Sequence, residues 1–151
     1  VDDIGSLQQY HSSKSDFLVA ESVLRTLPGR LQKQQDAFSQ TGGLHASALF
    51  DQQGSILSLF EDVGRHNALD KLIGRELQNN NLPLFQSGLI LSGRTSFELI
   101  HKAALAGIPV VVSIGAPSSL AVDAAWEYEI TLAGFLQADR FNIYSFPRRI
   151  N

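Results

Sequence analysis

The sequence contains no cysteine and no methionine among its 151 residues. Without cysteine, the chain cannot form a disulfide, bind a metal through thiolates or use a thiol as a nucleophile. No stretch approaches the roughly 18 consecutive apolar residues of a membrane-spanning helix, and no charged-then-apolar leader opens the chain. We therefore expect a cytoplasmic protein that has no membrane partner. Because the first residue is Val1, we interpret the chain as a fragment or a processed product.

Charged side chains show no excess of basic residues. They make up 18% of the residues, with 12 basic against 15 acidic side chains and a net charge of −3. No long stripe of Lys and Arg is present to displace the counterions of a nucleic acid, which argues against a nucleic-acid partner. One anionic ligand held by a few arginines is compatible with this balance. The length fits a single domain over residues 1–151, with a linker and helical region at 1–40 and an α/β core at 41–151.

Apolar periodicity and turn residues divide the chain into helices and strands. Ser15 and Asp16 can cap a first helix, which Pro28-Gly29 should interrupt before a second short helix at 30–38. After a turn at Gly42-Gly43, a β-hairpin is predicted from residues 44–50 and 55–60, helices at 64–77, 96–106 and 117–126, and strands at 88–91, 109–112, 130–135 and 141–144. Strands separated by single helices indicate a sheet covered on both faces, so the predicted fold class is α/β, a three-layer α/β/α domain with a mixed sheet.

In such a sheet, ligands bind beyond the carboxyl ends of the strands, where helices begin. The first turn of interest carries Glu61, Asp62, Arg65 and His66 within residues 61–67. His66 could act as an acid or a base near neutral pH, since an imidazole has a reference pKa of about 6.5. The alternative is a capped helix start, in which Asp62 bonds backbone N–H groups and Arg65 pairs with Glu61.

Two further turns predict anion contacts. Ser92, Gly93 and Arg94 follow a buried strand, where glycine lets the backbone approach a ligand and the next helix start favours an anion. Arg94 could contact a phosphate through both of its nitrogens. Gly115 and Ser118 follow the next strand in the same way. A glycine turn with a proline at the first helical position explains this second turn at least equally well.

The fourth turn joins the last two predicted strands and spans Phe135, Leu136, Gln137, Ala138, Asp139 and Arg140. An aromatic ring, an amide, a carboxylate and an arginine could grip a purine base and its phosphate. Asp139 suits the N1–H and N2 donors of guanine, and Arg140 a phosphate oxygen. A plain surface hairpin is the simpler interpretation. His45, on the predicted hairpin, either faces the same cleft or is structural, and His101 is expected to be solvated in mid-helix.

The chain lacks the residues of a zinc hydrolase of this layered topology. Such an enzyme needs His-x-Glu at one helix start and paired cysteines at the next. The corresponding positions are Gly-Arg-His-Asn at 64–67 and Ser-Gly-Arg-Thr at 92–95. We therefore expect no zinc, either structural or catalytic.

Seven segments resemble, in order, the signature of the FdhD family of formate dehydrogenase accessory sulfurtransferases. They are TGGLHA (41–46), EDVGRHNALDK (61–71), SGR (92–94), AGIP (106–109), APSSLAV (116–122), ITLAGF (130–135) and RFNIY (140–144). The resemblance covers approximately residues 41–151, and the segment at 61–71 is highly specific by itself.

The resemblance implies a cytoplasmic homodimer with a cytidine deaminase-like core that lacks zinc. Family members accept sulfur as a persulfide from a cysteine desulfurase and pass it to the molybdenum cofactor of formate dehydrogenase, bis(molybdopterin guanine dinucleotide). A guanine-nucleotide pocket is therefore implied, for which GDP is a mimic. The family's Phe-x-x-x-x-Arg segment maps onto Phe135 to Arg140. The resemblance thus favours the ligand interpretation of this loop.

The persulfide cysteines of the family lie in a Cys-x-x-Cys loop upstream of the segment seen here. This chain has no counterpart to them. We therefore expect sulfur transfer from the full-length protein, while this chain binds the cofactor and is itself inactive in transfer. Glu61, Arg65 and His66 would line the cleft. The alternatives are a nucleotide-binding scaffold that moves no sulfur and a deaminase-like hydrolase.

Overall fold

The structure is a computed structural model that describes residues 15–38 and 44–151. The helices are α1 (Glu21–Phe38), α2 (Arg65–Gln78), α3 (Phe97–Leu105) and α4 (Ser119–Glu127), and a short 3-10 helix covers Pro147–Arg149. The strands are β1 (His45–Phe50), β2 (Ile56–Asp62), β3 (Gly88–Leu91), β4 (Val110–Ser113), β5 (Thr131–Gly134) and β6 (Asn142–Ser145). The predicted turn at Gly42-Gly43 lies outside the described residues.

The strands form one mixed sheet in the order β2-β1-β3-β4-β5-β6. β1 pairs antiparallel with β2 and β3, the β3–β4 and β4–β5 pairs are parallel, and β6 closes the sheet antiparallel to β5. The predicted hairpin and mixed sheet are confirmed. Since α3 and α4 each connect neighbouring parallel strands, both helices begin at the carboxyl edge of the sheet.

Helices cover both faces of the sheet. On one face, α2, α3 and α4 bury residues such as Leu72, Ile100 and Ala125 in a common apolar cluster. On the other face, α1 buries Leu24 and Leu27 in a second cluster. This arrangement confirms the predicted three layers. Within the described ranges, no helix combines the length and apolar character that a bilayer crossing demands.

The helix predicted to begin at Ser15 begins later. Residues 15–20 are extended, because this segment pairs with the end of the chain. The N–H of Val19 donates to the carbonyl of Arg149 at 2.9 Å, and the N–H of Asn151 donates to the carbonyl of Val19 at 3.0 Å. Phe17 and Val19 are thereby buried beside α1 without being helical.

The predicted break at Pro28-Gly29 is also wrong. α1 is one continuous helix with Pro28 inside it. A proline in a helix interior costs about 3 kcal/mol. Leu24, Leu27 and Leu31 recur at helical spacing and are buried against the sheet. Burial of this face outweighs the local cost, because tertiary packing rather than propensity supplies most helix stability.

Candidate functional site

The turns after β3, β4 and β5 form one continuous backbone surface. The N–H of Gly115 donates to the carbonyl of Gly93 at 3.1 Å, and the N–H of Phe135 donates to the carbonyl of Gly115 at 3.1 Å. A Cβ on Gly115 would lie 3.0 Å from the Gly93 carbonyl oxygen, so glycine permits this close approach. Three of the four turns predicted as ligand sites are therefore side by side.

The starts of α3 and α4 are joined in the same way. The N–H of Thr95 donates to the carbonyl of Ala116 at 3.2 Å, and the N–H of Ser118 donates to the carbonyl of Thr95 at 3.0 Å. The N-terminal turns of both helices therefore approach one region of space. Helix starts carry partial positive charge and free N–H groups, so this region favours an anion.

Each of these helices is capped by a serine. The hydroxyl of Ser96 accepts the N–H of Leu99, and the hydroxyl of Ser118 accepts the N–H of Ala121. Pro117 was predicted to open α4, and it lies instead just before the Ser118 cap. Pro117 is not helical because it pairs as a β-bridge with Thr95 and belongs to the extended backbone of the turn.

A cleft of about 300 Å³ opens between the two helix starts, and we call it the helix-start cleft. Its lining residues are Arg65, Arg94, Thr95, Ser96, Ala116, Pro117 and Ser118. Arg65 belongs to the first turn of α2, so the remaining predicted turn also reaches this place. The structure thus brings Arg65, Arg94 and Ser118 to one cleft.

Two buried polar atoms of this cleft have no hydrogen-bond partner in the described part of the chain. They are the hydroxyl oxygen of Thr95 and Nε of Arg65. Thr95 is only 1% exposed. Buried polar atoms are nearly always paired, and leaving one unpaired costs about 1–3 kcal/mol. The cleft therefore offers one hydroxyl and one guanidinium with unused bonding capacity.

His66 lies at the edge of this cleft. Its Nε2 is 3.2 Å from the hydroxyl oxygen of Ser96. The pKa of Glu98, in the first turn of α3, is lowered, chiefly because its carboxylate accepts its own backbone N–H. A bond from Ser96 and the charges of His66 and Arg65 lower this pKa further. The start of α3 thus already stabilises a negative charge.

His45 and Ser92 hold the β3–α3 turn against β1. A Cβ on Gly93 would lie 3.2 Å from Nδ1 of His45, so the imidazole lies directly over this glycine. The hydroxyl of Ser92 accepts the N–H of Ala46 at 2.8 Å. The structure therefore places His45 beside the predicted turn, and gives the Ser92 hydroxyl a structural bond to β1.

Glu61 and Asp62 point to opposite faces of the sheet, as successive strand residues do. Oε2 of Glu61 accepts a hydrogen bond from Gln35 of α1 at 3.0 Å. The predicted pairing of Glu61 with Arg65 is not formed in the described structure, and Glu61 is not brought to the helix-start cleft. The reason is that β2 extends to Asp62, so Glu61 is a strand residue whose side chain points to the α1 face of the sheet.

Asp62 faces α2 instead. Its carboxylate accepts the N–H of Gly64 at 3.0 Å and pairs with Nζ of Lys71 at 2.7 Å. These contacts, the Gly64 N–H first and Lys71 second, lower the pKa of Asp62 to about 2. Asp62 therefore bonds a backbone N–H at the start of α2, as the alternative interpretation of this turn predicted for this residue.

A second cleft, the Phe135 cleft, lies at the end of β5. It has a volume of about 390 Å³ and is lined by Phe135, Gln137, Arg140, Phe141 and Asn142. Phe135 has a left-handed backbone with φ of 53°. Non-glycine residues in this conformation cost about 1–3 kcal/mol and cluster at functional sites. The side chain of Phe135 is 46% exposed.

The other predicted residues of this loop have different roles. Leu136 is 1% exposed and packs in the apolar cluster on the α1 face, so its side chain is not in the cleft. The N–H of Gln137 donates to the carbonyl of Arg140 at 2.8 Å, which closes a tight turn. Ala138 and Asp139 are exposed at its tip, outside the cleft lining.

The turns that carry the two clefts pack against each other at Gly134. A Cβ on Gly134 would lie 2.8 Å from Cδ of Pro117. Pro117 lines the helix-start cleft, and Phe135 of the second cleft directly follows Gly134.

The two clefts suit different chemical groups. The helix-start cleft combines two guanidinium groups with serine and threonine hydroxyls, which suit an oxyanion. The Phe135 cleft combines aromatic rings with the amides of Gln137 and Asn142, which suit a planar base. Over residues 15–38 and 44–151, no group of three His, Cys, Asp or Glu side chains is arranged to hold a metal.

Some residues that line the two clefts were not predicted. Phe141 and Asn142 directly follow the predicted loop, so a boundary two residues later would have included them. Thr95 gave no sequence signal, because its burial depends on the neighbouring turn. His101 is exposed as predicted, although its Nδ1 lies 3.1 Å from the hydroxyl of Tyr128.

The fold belongs to a class shared with deaminases. A guanine deaminase from Nitrosomonas europaea superposes with a TM-score of 0.61 at 13% identity, over 85% of this chain and 84% of that one. At this identity the likeness shows the fold alone. The predicted deaminase-like α/β/α fold is confirmed.

The chain belongs to the FdhD/NarQ family, whose model matches residues 2–151. A formate dehydrogenase accessory protein from Desulfotalea psychrophila superposes with a TM-score of 0.79 at 29% identity, over 91% of this chain and 61% of that one. The resemblance found in the sequence is thereby confirmed.

Curated relatives share more of the sequence. Sulfur carrier protein FdhD of Streptomyces coelicolor is 54% identical over 132 residues, 87% of this chain and 47% of that protein. The protein of the same name from Nocardia farcinica is 45% identical over 150 residues, 99% of this chain and 54% of that protein. The chain thus spans about half the length of the curated relatives it matches.

Proposed function

We propose that this chain is the cofactor-binding core of a sulfur carrier that serves formate dehydrogenase. The observation that carries the proposal is family membership over residues 2–151, together with relatives named sulfur carrier protein FdhD. The whole protein would accept persulfide sulfur from a cysteine desulfurase and pass it to the molybdenum cofactor of formate dehydrogenase. It would act in the cytoplasm as a homodimer.

The sulfur itself would be carried outside this chain. A persulfide forms on a thiolate, and the 151 residues contain no cysteine. In the proposed first step, a thiolate of the whole protein attacks the terminal sulfur of the desulfurase persulfide. The old S–S bond breaks, the desulfurase thiolate leaves, and a new persulfide remains on the carrier. The role left for this chain is to bind and present the cofactor.

The Phe135 cleft would hold the guanine end of bis(molybdopterin guanine dinucleotide). The half-exposed ring of Phe135 offers a stacking surface for the base, and Gln137 and Asn142 offer amides to its edge. Arg140 would contact a phosphate oxygen near the base.

Calorimetric titration with GDP tests the binding role. The chain should bind GDP, and Arg140→Ala should weaken binding by about tenfold or more, because a charge-assisted hydrogen bond contributes about 1.5–3 kcal/mol. Arg75→Ala is the matched control, since Arg75 is exposed in the last turn of α2 and lines neither cleft. A chain that does not bind GDP contradicts the role proposed for it.

Sulfur transfer needs a longer protein that joins this chain to the family's Cys-x-x-Cys loop. That protein should take labelled sulfur from a cysteine desulfurase and activate formate dehydrogenase, and replacement of the loop cysteines should abolish both. If the longer protein binds GDP but moves no sulfur, the alternative of a nucleotide-binding scaffold is correct.

A further inference from the structure

Three exposed apolar side chains lie at the carboxyl edge of the sheet, one at the start of each of α2, α3 and α4. They are Val63 just before α2, Phe97 in the first turn of α3 and Leu120 in the first turn of α4. Val63 is 80% exposed and Leu120 is 65% exposed, more than any other large apolar side chain in the described part of the chain. We call these three residues the apolar rim.

Helix formation does not explain the apolar rim. Val63 precedes Gly64, the N-cap of α2, and an apolar residue in that place often packs against the fourth residue of the helix. That residue is Ala68, which is fully buried, whereas Val63 is largely exposed and contributes little packing to its own domain. The first turn of a helix favours polar and acidic residues, which interact with its free N–H groups. The apolar side chains of Phe97 and Leu120 cannot do so.

The apolar rim borders the helix-start cleft. Each of its members is within two residues of a side chain that lines this cleft, at Arg65, Ser96 and Ser118. Backbone hydrogen bonds join the starts of α3 and α4, so the rim residues of these two helices are held in a fixed relation. Single apolar side chains are common on protein surfaces, but a group of them around a polar site is typical of a protein–protein interaction surface.

The charge inside the rim is predominantly positive. Arg65 and Arg94 line the cleft, and Arg94 is exposed and forms no ion pair with any residue that the structure describes. Two carboxylates are adjacent to rim residues in the sequence. Asp62 is paired with Lys71, which leaves Glu98 against two guanidinium groups. A complementary protein surface is therefore apolar and carries carboxylates.

We propose that the apolar rim is the surface on which cofactor-free formate dehydrogenase docks to receive its cofactor. This inference rests on the proposed function and deepens it, because a carrier must bring the edge that holds its ligand against the enzyme that receives it. The helix-start cleft and the Phe135 cleft lie at this same edge, so the acceptor enzyme meets the rim when it approaches either cleft. In that contact Val63 and Leu120 lose exposed apolar area, which stabilises the complex.

The docking surface is tested with a longer protein that joins this chain to the Cys-x-x-Cys loop. Its binding to purified, cofactor-free formate dehydrogenase is measured by biolayer interferometry. Val63→Ser and Leu120→Ser should each weaken binding about tenfold or more, because each removes apolar area that the contact buries. Leu57→Ser is the matched control, since Leu57 is 54% exposed near the other end of β2. This control should bind within about twofold of the original protein.

Titration with GDP and sedimentation of each variant separate this surface from the proposed function. Val63→Ser and Leu120→Ser should bind GDP as the original protein does and sediment as the same oligomer. Loss of either property in these variants overturns the inference, because the rim then serves the ligand or a second copy of the chain.

The affinities for formate dehydrogenase decide the remaining cases. If the original protein binds the enzyme and both rim variants keep that affinity, or Leu57→Ser loses as much, the docking surface is wrong and the proposed function stands. An original protein that does not bind formate dehydrogenase contradicts both.

Discussion

The N–H of Phe135 donates to the carbonyl oxygen of Gly115 at 3.1 Å, and this bond joins the turn after β5 to the turn after β4. Phe135 leaves its strand with a left-handed backbone, φ 53°. Its aromatic ring is half exposed and lines the Phe135 cleft. A strained residue therefore connects the two clefts and carries the ring proposed to stack on the base.

Replacement of Phe135 by two small residues separates backbone strain from ring loss. Phe135→Gly should be more stable than Phe135→Ala by about 1 kcal/mol, because a left-handed conformation costs a non-glycine residue roughly 1–2 kcal/mol. Both variants should lose GDP affinity equally, since both lack the ring. Urea unfolding and GDP titration measure the two effects. Equal stability of the variants would show that the backbone is not held in this conformation.

Two glycines should respond oppositely to alanine. A Cβ on Gly88 would clash with the ring of the fully buried Phe50, so Gly88→Ala should destabilise the fold by about 1–3 kcal/mol. Gly29 lies inside α1, and a Cβ there meets nothing within 4 Å. Gly29→Ala should therefore stabilise the fold by about 0.5–1 kcal/mol. Denaturant unfolding of both variants checks this packing, and a destabilised Gly29→Ala would contradict it.

The ion pair of Asp62 and Lys71 should make the free energy of unfolding depend on pH in the acid range. The folded pKa of Asp62 is lowered from 3.8 to about 2, by the N–H of Gly64 first and by Lys71 second. A lowered carboxyl pKa stabilises the folded state above the unfolded pKa, and this contribution is lost as the pH falls through about 2. Asp62→Asn should therefore be less stable than the original chain above pH 3.8 and converge with it in stronger acid.

The control for this pH dependence is Asp123→Asn, which changes an exposed carboxylate of α4. The difference in unfolding free energy between Asp123→Asn and the original chain should not shrink in the same way as the pH falls. Unfolding free energies of the three proteins across the acid range give the comparison, and a constant difference between the original chain and Asp62→Asn contradicts the assigned pKa.

Local patterns predicted most of the fold. The hairpin, α2, α3, α4 and the alternation of strands with helices follow from periodicity and turn residues that lie close together in the chain. The error at residues 15–38 has a long-range cause. Phe17 and Val19 fit a helical pattern, yet they are buried as extended chain because Val19 pairs with Arg149 and Asn151 at the other end of the sequence.

The site was predictable at the level of turns and not of side chains. The rule that ligands bind at carboxyl ends of strands selected the turns that lie together. β2 extends two residues beyond its predicted end, so strand alternation sends Glu61 to α1 and Asp62 to α2. The burial of Thr95 depends on contacts with Ala116 and Ser118, which belong to another turn.

A crystal structure of this chain with GDP tests the central claim most directly. We expect the guanine base against the ring of Phe135, with Arg140 in contact with a phosphate oxygen. A nucleotide bound elsewhere on the chain, with both clefts empty, would contradict the account of this domain as the cofactor-binding core.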